Sequence, residues 1–228
     1  MKNTVFSFSL VVALAVCAAS ANAGLILTGI IDGPRSGGLP KAIELYATTA
    51  IADMADYAIQ VSANGADGGI TAPEYTFPTG PVAAGSYIWL ASEEPGFTAY
   101  FGYAPTYTNG IMNINGDDAV VLFGSVLTTP VAIDVYGNPS VDGTGTAWEH
   151  LDSYAYRLDD TGPDGSSWVA ANWTVAPIDT LDVQGSTGVN GGAGITVPFG
   201  TYTAIPEPAT LALAGFALIG AAAVRRRS

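Results

Sequence analysis

The 228-residue chain has one cysteine, one histidine and seven Lys plus Arg residues against 20 Asp plus Glu. Cys17 lies in an apolar run at the N-terminus, so residues 24–205 carry no thiol. This excludes disulfide staples, Cys-His nucleophilic catalysis and thiolate zinc sites from that stretch. Stability there rests on burial, and ~180 residues allow one domain to bury roughly 70% of its unfolded surface. A single histidine, His150, rules out a His-rich metal site. It would also have to serve alone in any Ser-His-Asp triad, and no Gly-flanked nucleophilic Ser accompanies it. Between Trp148 and Leu151 it reads as a packing residue. Positive charge is scarcer than the totals suggest. Lys2, Arg225, Arg226 and Arg227 sit at the two ends, leaving Arg35, Lys41 and Arg157 against 19 acidic residues over 24–205, a net of −16. Such a surface repels phosphate backbones, so no nucleic-acid partner is expected; it favours solubility and divalent cations.

Two long hydrophobic runs occupy the ends. Met1-Lys2-Asn3 is a short positive start, residues 5–19 are mostly apolar, and Ala21-Asn22-Ala23 has the small-x-small pattern of a secretory cleavage site. Residues 1–23 are therefore expected to form a Sec signal peptide with a helical core, cut after Ala23. A lipoprotein signal at Cys17 is disfavoured by the bulk of Val16. At the other end, Ile205-Pro206-Glu207-Pro208 precedes an apolar run over 209–224, and Arg225, Arg226 and Arg227 follow. Sixteen residues as a helix span about 24 Å, slightly less than a ~30 Å hydrocarbon core, and snorkelling Arg side chains cover the difference. The Arg triplet is expected to stay cytoplasmic with the bulk of the chain outside. Pro206 and Pro208 keep the motif extended, as a processing enzyme requires. Polar motif, membrane-length run and basic stop, in that order over 205–228, resemble the PEP-CTERM sorting signal of Gram-negative bacteria. The resemblance implies export, a precursor held in the inner membrane, and processing by exosortase. The alternative is a plain C-terminal anchor.

Between the ends, helical periodicity is nearly absent. Short β-branched and aromatic runs at 25–31, 42–46, 57–62, 86–92, 119–123, 131–136 and 153–158 are separated by Gly, Pro, Asn and Asp. Residues 119–123 form a continuous apolar run suited to a buried strand. Residues 42–46 alternate, with Ile43 and Leu45 on one face and Glu44 and Tyr46 on the other. One short helix is expected over 97–101, after Pro95. The fold class is all-β, an antiparallel sandwich over 24–183. Residues 184–204 are rich in Gly, Ser and Thr and read as a flexible linker.

Four blocks carry a second resemblance. They are Asp-Gly-Pro-Arg-Ser-Gly-Gly-Leu-Pro-Lys-Ala-Ile-Glu-Leu-Tyr from Asp32 to Tyr46, Asn115-Gly116-Asp117-Asp118-Ala119-Val120, the stretch from Asp142 to Asp152, and Tyr154-Ala155-Tyr156-Arg157. Together they resemble bacterial lamin-tail-like domains over about 28–175. That family implies an immunoglobulin-like β-sandwich, which agrees with the strand pattern. Its members often precede an extracellular nuclease domain; here linker and sorting tail follow instead, so no nuclease activity is expected.

No catalytic set stands out. Nineteen carboxylates over 24–205 always contain some pair suited to glycoside hydrolysis, and the sequence singles out none. The acidic turns Asp159-Asp160-Thr161-Gly162-Pro163-Asp164-Gly165 and Asp117-Asp118 have two readings. One is calcium ligation by Asp159, Asp160, Asp164, Asp117 and Asp118; the other is turn chemistry, in which Asp bonds neighbouring N–H groups. The first run departs from the EF-hand pattern. Glu44 is expected to face outward or to meet Arg157 or Arg35, because a lone cation in so acidic a domain usually finds a carboxylate. Trp89, Trp148, Trp168 and Trp173 offer either a sugar-stacking surface or packing. The resulting expectation is a non-catalytic secreted protein with a structural or adhesive role. Its partners would be the Sec translocon, signal peptidase, exosortase and exopolysaccharide, and calcium is the one cofactor considered. A calcium-dependent carbohydrate-binding module and a carboxylate hydrolase are the alternatives.

Overall fold

The computed structural model describes residues 24–204. The expected signal helix over 1–23 with Ala21 and Ala23, the sorting residues Pro206, Glu207 and Pro208, the expected transmembrane helix over 209–224 and the Arg triplet lie outside the described residues. Among the described residues no helix is long and apolar enough to cross a membrane.

Among the described residues, ten strands form two sheets. They are β1 (Leu25–Arg35), β2 (Leu39–Ala47), β3 (Ala58–Ser62), β4 (Tyr75–Thr76), β5 (Tyr87–Ala91), β6 (Tyr107–Thr108), β7 (Ala119–Gly124), β8 (Val131–Tyr136), β9 (Tyr154–Arg157) and β10 (Trp173–Val175). One sheet has the order β10-β9-β1-β2-β5-β6 and the other β4-β3-β7-β8. All pairings are antiparallel except β5 with β6. Between the sheets lies a core of Leu25, Leu27, Ile30, Ile43, Leu45, Ile88 and Leu90 from the larger sheet, facing Ile59, Val120, Leu122 and Tyr136 from the smaller. The all-β, two-sheet expectation holds.

β1 runs four residues, Asp32 to Arg35, beyond its expected end at Ile31. A register shift after Asp32 absorbs Gly33 and Pro34, and Arg35 pairs again with Leu39. Gly33 tolerates the tight return, because a Cβ there would lie 2.3 Å from the Leu39 carbonyl oxygen. A second irregularity sits mid-strand: Leu27 pairs with Leu45 and Gly29 with Glu44, leaving Thr28 as an extra residue. This β-bulge keeps Leu27 and Ile30 in the core while Thr28 and Gly29 both face the outer side with Glu44.

The outer side of the larger sheet carries its own apolar layer. Helix α1 (Glu94–Phe101) begins at Glu93, whose carboxylate accepts from Gly96 N at 2.8 Å. It ends at Gly102, whose φ of 82° supplies the left-handed cap. Its Phe97 and Tyr100 pack with Ile31, Ala42, Ala91, Leu181, Val197 and Phe199. The last three come from the stretch expected to be free linker or its border. Residues 184–203 are instead docked: Val197, Phe199 and Tyr202 are buried, and Phe199 stacks on Phe101 at 5.2 Å. Asn190 N donates to Tyr100 O, and Asn190 and Val197 exchange two hydrogen bonds. The physical reason is the apolar alternation Ile195, Val197, Phe199 within the Gly and Thr background, a period-2 strap.

Candidate functional site

The interior holds more charge than a structural core needs for hydrophobic packing alone, and that charge falls in three places. The first joins β1, β2 and the loop before β7. Lys41 Nζ lies 2.8 Å from Asp32 Oδ1, 2.6 Å from Ile114 O and 3.0 Å from Asn115 Oδ1. The other Asp32 oxygen accepts from Gly116 N at 3.2 Å and Asp152 N at 3.4 Å. Both side chains are nearly water-free, at 6% and 3% exposure. Gly116 O accepts from His150 N at 2.7 Å. His150 is fully buried, edge-on to Tyr136, with Nδ1 3.3 Å from Trp148 O and Nε2 unpartnered. Burial pulls its pKa down to about 4, so the ring is neutral.

The second place ties β9 to β8 across the sandwich. Arg157 Nη2 grips both Asp134 oxygens, at 2.7 and 2.8 Å, and its Nε donates to Leu27 O at 2.6 Å. Arg157 Nη1 pairs with Asp164 Oδ1 at 3.1 Å, and the guanidinium stacks over Trp173 at 4.5 Å. Asp134 accepts from Leu27 N and Asp164 N as well. Both Asp134 oxygens thus accept hydrogen bonds, as burial of charge demands, while Arg157 Nη1 has the Asp164 ion pair and no hydrogen bond.

The acidic runs read as calcium or turn chemistry are placed accordingly. Asp164 is turned inward to Arg157 and also accepts from Asn172 Nδ2 at 2.6 Å. Asp159 Oδ1 instead accepts from Thr203 N at 2.8 Å, and Asp160 N donates to Thr203 O. Asp118 accepts from Asn115 N at 2.7 Å, within its own turn, and from Asn64 N at 2.9 Å, which ties that turn to the segment after β3. Asp117 Oδ2 accepts from Thr144 Oγ1 at 3.2 Å, and its Oδ1 has no hydrogen-bond partner. Among the described residues, the group of three carboxylates whose oxygens lie within 4.8 Å of one another is a different one: Asp152, Asp179 and Asp182. Sequence spacing could not have found it, because its members lie 27 and 3 residues apart. Burial, then the charges of Asp32, Asp182 and Asp179, raise the pKa of Asp152.

The third place is Glu44, under the strap. It meets neither arginine. Oε1 accepts from Thr28 Oγ1 at 2.9 Å, and Oε2 accepts from Trp89 Nε1 at 2.9 Å and from Gly200 N. Arg35 donates to Gly188 O. The bulge at Thr28 delivers the hydroxyl, cross-strand pairing delivers Trp89, and the strap delivers the backbone N–H. Glu44 thus has three neutral donors, and burial pushes its pKa up to about 7 against them. Trp148 and Trp173 are buried in the central core with Trp168 packed against it, and Trp89 belongs to the outer layer. The strap is pinned further by Tyr87 OH donating to Tyr202 O and by Tyr202 OH donating to Thr161 O.

A family model described as the PEP-CTERM protein-sorting motif matches residues 204–227. No curated protein and no solved structure matches the chain. The motif begins one residue after Thr203, which is bonded to Asp159 of the domain. It marks the protein for exosortase-dependent sorting to the cell surface, by way of a membrane-anchored precursor.

Proposed function

We propose that the protein is a non-catalytic component of the cell surface or exopolysaccharide matrix, built on a lamin-tail-like, immunoglobulin-like β-sandwich. Sec and signal peptidase would export it, and its role after exosortase processing would be structural or adhesive. The sorting motif at 204–227 is the observation that carries this reading. The lamin-tail likeness is supported by convergence. Asp32 and Lys41 come from its first block, Asn115 and Gly116 from its second, and His150 and Asp152 from its third, and all six meet in one bonded cluster. The ionisable groups of the interior serve that scaffold rather than an open cleft.

Glu207→Ala tests the sorting step. The variant should accumulate unprocessed in the inner-membrane fraction, read by fractionation and blotting; normal release would reduce the tail to an anchor. The adhesive role is tested by retention on the producer's own exopolysaccharide, which should exceed that of an unrelated domain of equal negative charge. Turnover of that polymer, abolished by changing one carboxylate, would overturn the non-catalytic part.

A further inference from the structure

We propose that Lys41 and Asn115 condense spontaneously into an intramolecular amide cross-link, with Asp32 as the proton relay. Three reacting groups are already assembled. The Lys41 Nζ is 3.0 Å from the carboxamide oxygen of Asn115 and 2.8 Å from Asp32 Oδ1. Holding amine and acyl group in contact replaces a bimolecular encounter with an intramolecular one, a large part of the barrier to such reactions. The surroundings favour a proton on Asp32. Both side chains are buried, and burial raises the proton affinity of Asp32 despite its paired ammonium. Gly38 forms the wall over the pair: a Cβ there would lie 2.8 Å from both Asp32 Oδ1 and Lys41 Nζ. The loop bearing the carboxamide is clamped, since Asn115 N bonds Asp118 and the Gly116 N–H and carbonyl are both taken. Asn115 is itself solvent-exposed, so a leaving group has an exit.

The step balances without any co-reactant. The Lys41 ammonium gives one proton to Asp32, and the free amine attacks Cγ of Asn115. As the Cγ–Nδ2 bond breaks, the second nitrogen-bound proton passes to the departing nitrogen, and Asp32 returns the first. One amide C–N bond forms, one breaks, and ammonium leaves. The remaining amide N–H still has Asp32 as its acceptor. The bond would close a loop between positions 74 residues apart. It would staple β2 of the larger sheet to the entry of β7 in the smaller, a linkage this cysteine-free stretch cannot make as a disulfide.

The wild-type full chain, purified folded, denatured and digested with trypsin, tests the proposal directly. A joined Lys41 blocks cleavage, so the fragment spanning 36–157 should appear, lighter than its sequence mass by one ammonia. Recovery of fragment 42–157 from wild-type protein, or of 36–157 at full sequence mass, overturns the proposal. Lys41→Arg and Asn115→Ala should each give a fragment beginning at residue 42 with no loss of ammonia. Asp32→Asn should leave Lys41 cleavable in protein that still shows a cooperative melt; an undiminished cross-link in that variant removes Asp32 from the mechanism.

Discussion

At the level of single residues, buried charge divides into groups that have a counter-ion and groups that do not. Arg157 and Asp134 are both without solvent exposure and bonded bidentately. Removing one partner strands the other, so Arg157→Met should cost about 3–5 kcal/mol in a denaturant titration. A cost below 1 kcal/mol would mean that water reaches Asp134. Glu44 and His150 have no counter-ion and shift in ways that oppose one another. The Glu44 carboxyl titrates at about 7 in place of 4.5. Its raised folded value favours the native state below pH 4.5, and that contribution is lost as pH rises to 7. His150 titrates at about 4 in place of 6.5. Its depressed value favours the native state above pH 6.5, and that contribution is lost as pH falls towards 4. Each shift is worth up to about 3 kcal/mol. Between pH 4.5 and 6.5 the two slopes cancel in the wild type. Glu44→Gln removes one of them. Its stability relative to wild type should therefore rise by up to about 3 kcal/mol from pH 4.5 to pH 7.5, whatever its absolute offset. A difference independent of pH would show that Glu44 is already ionised at pH 4.5.

At the level of elements, the strap and the bulge depend on each other. A Cβ on Gly29 would lie 2.4 Å from the Phe199 ring. Gly29→Ala should thus destabilise the domain by about 1–3 kcal/mol, and much less in a Phe199→Val background where the ring is gone. Phe199→Ala should cost about 3–5 kcal/mol and open residues 195–203 to proteinase K. Additive single and double variants would argue that the strap is not seated on Gly29. The pairing of bulge and strap also marks how far the sequence could be read. Seven strands announce themselves because β-branched and aromatic runs of four or more residues have a period. β4, β6 and β10, of two or three residues, are too short to have one and exist through their neighbours. β1 outlasts its Gly33-Pro34 break because a buried Asp32 and the tight turn hold the hairpin beyond it. Composition hid the strap: glycine and threonine dominate 184–203, and the alternation of Ile195, Val197 and Phe199 is the only local sign of docking. Of the candidate residues, Asp164 and Asp118 were recognisable as turn acids. That the guanidinium beside Asp164 also takes Asp134 depends on β9 and β8 being in different sheets, which adjacent letters cannot reveal.

For the molecule as a whole, charge is one-sided to an unusual degree. Lys41 and Arg157 are buried and Arg35 is half-buried, so among the described residues almost every charge that reaches solvent is negative. Self-repulsion of such a surface destabilises the compact state, and salt screens it with a Debye length of about 10 Å at 0.1 M. The melting temperature should therefore rise between low and moderate NaCl. Magnesium and calcium chlorides matched for ionic strength should raise it by similar amounts, because diffuse screening does not distinguish the two ions, whereas a built site does through cavity size and ligand number. Chelation separates these cases further. The carboxylates of Asp164, Asp159 and Asp118 already accept hydrogen bonds from Asn172, Thr203, Asn64 and Asn115. Their turns are thus closed by donors of the chain itself. EDTA, added at constant ionic strength to protein purified without chelator, should leave the melting temperature where it was. A drop reversed by calcium and not by magnesium would place a resident cation in the acidic turns, and it would move the functional assignment from a matrix scaffold to a calcium-dependent binding module.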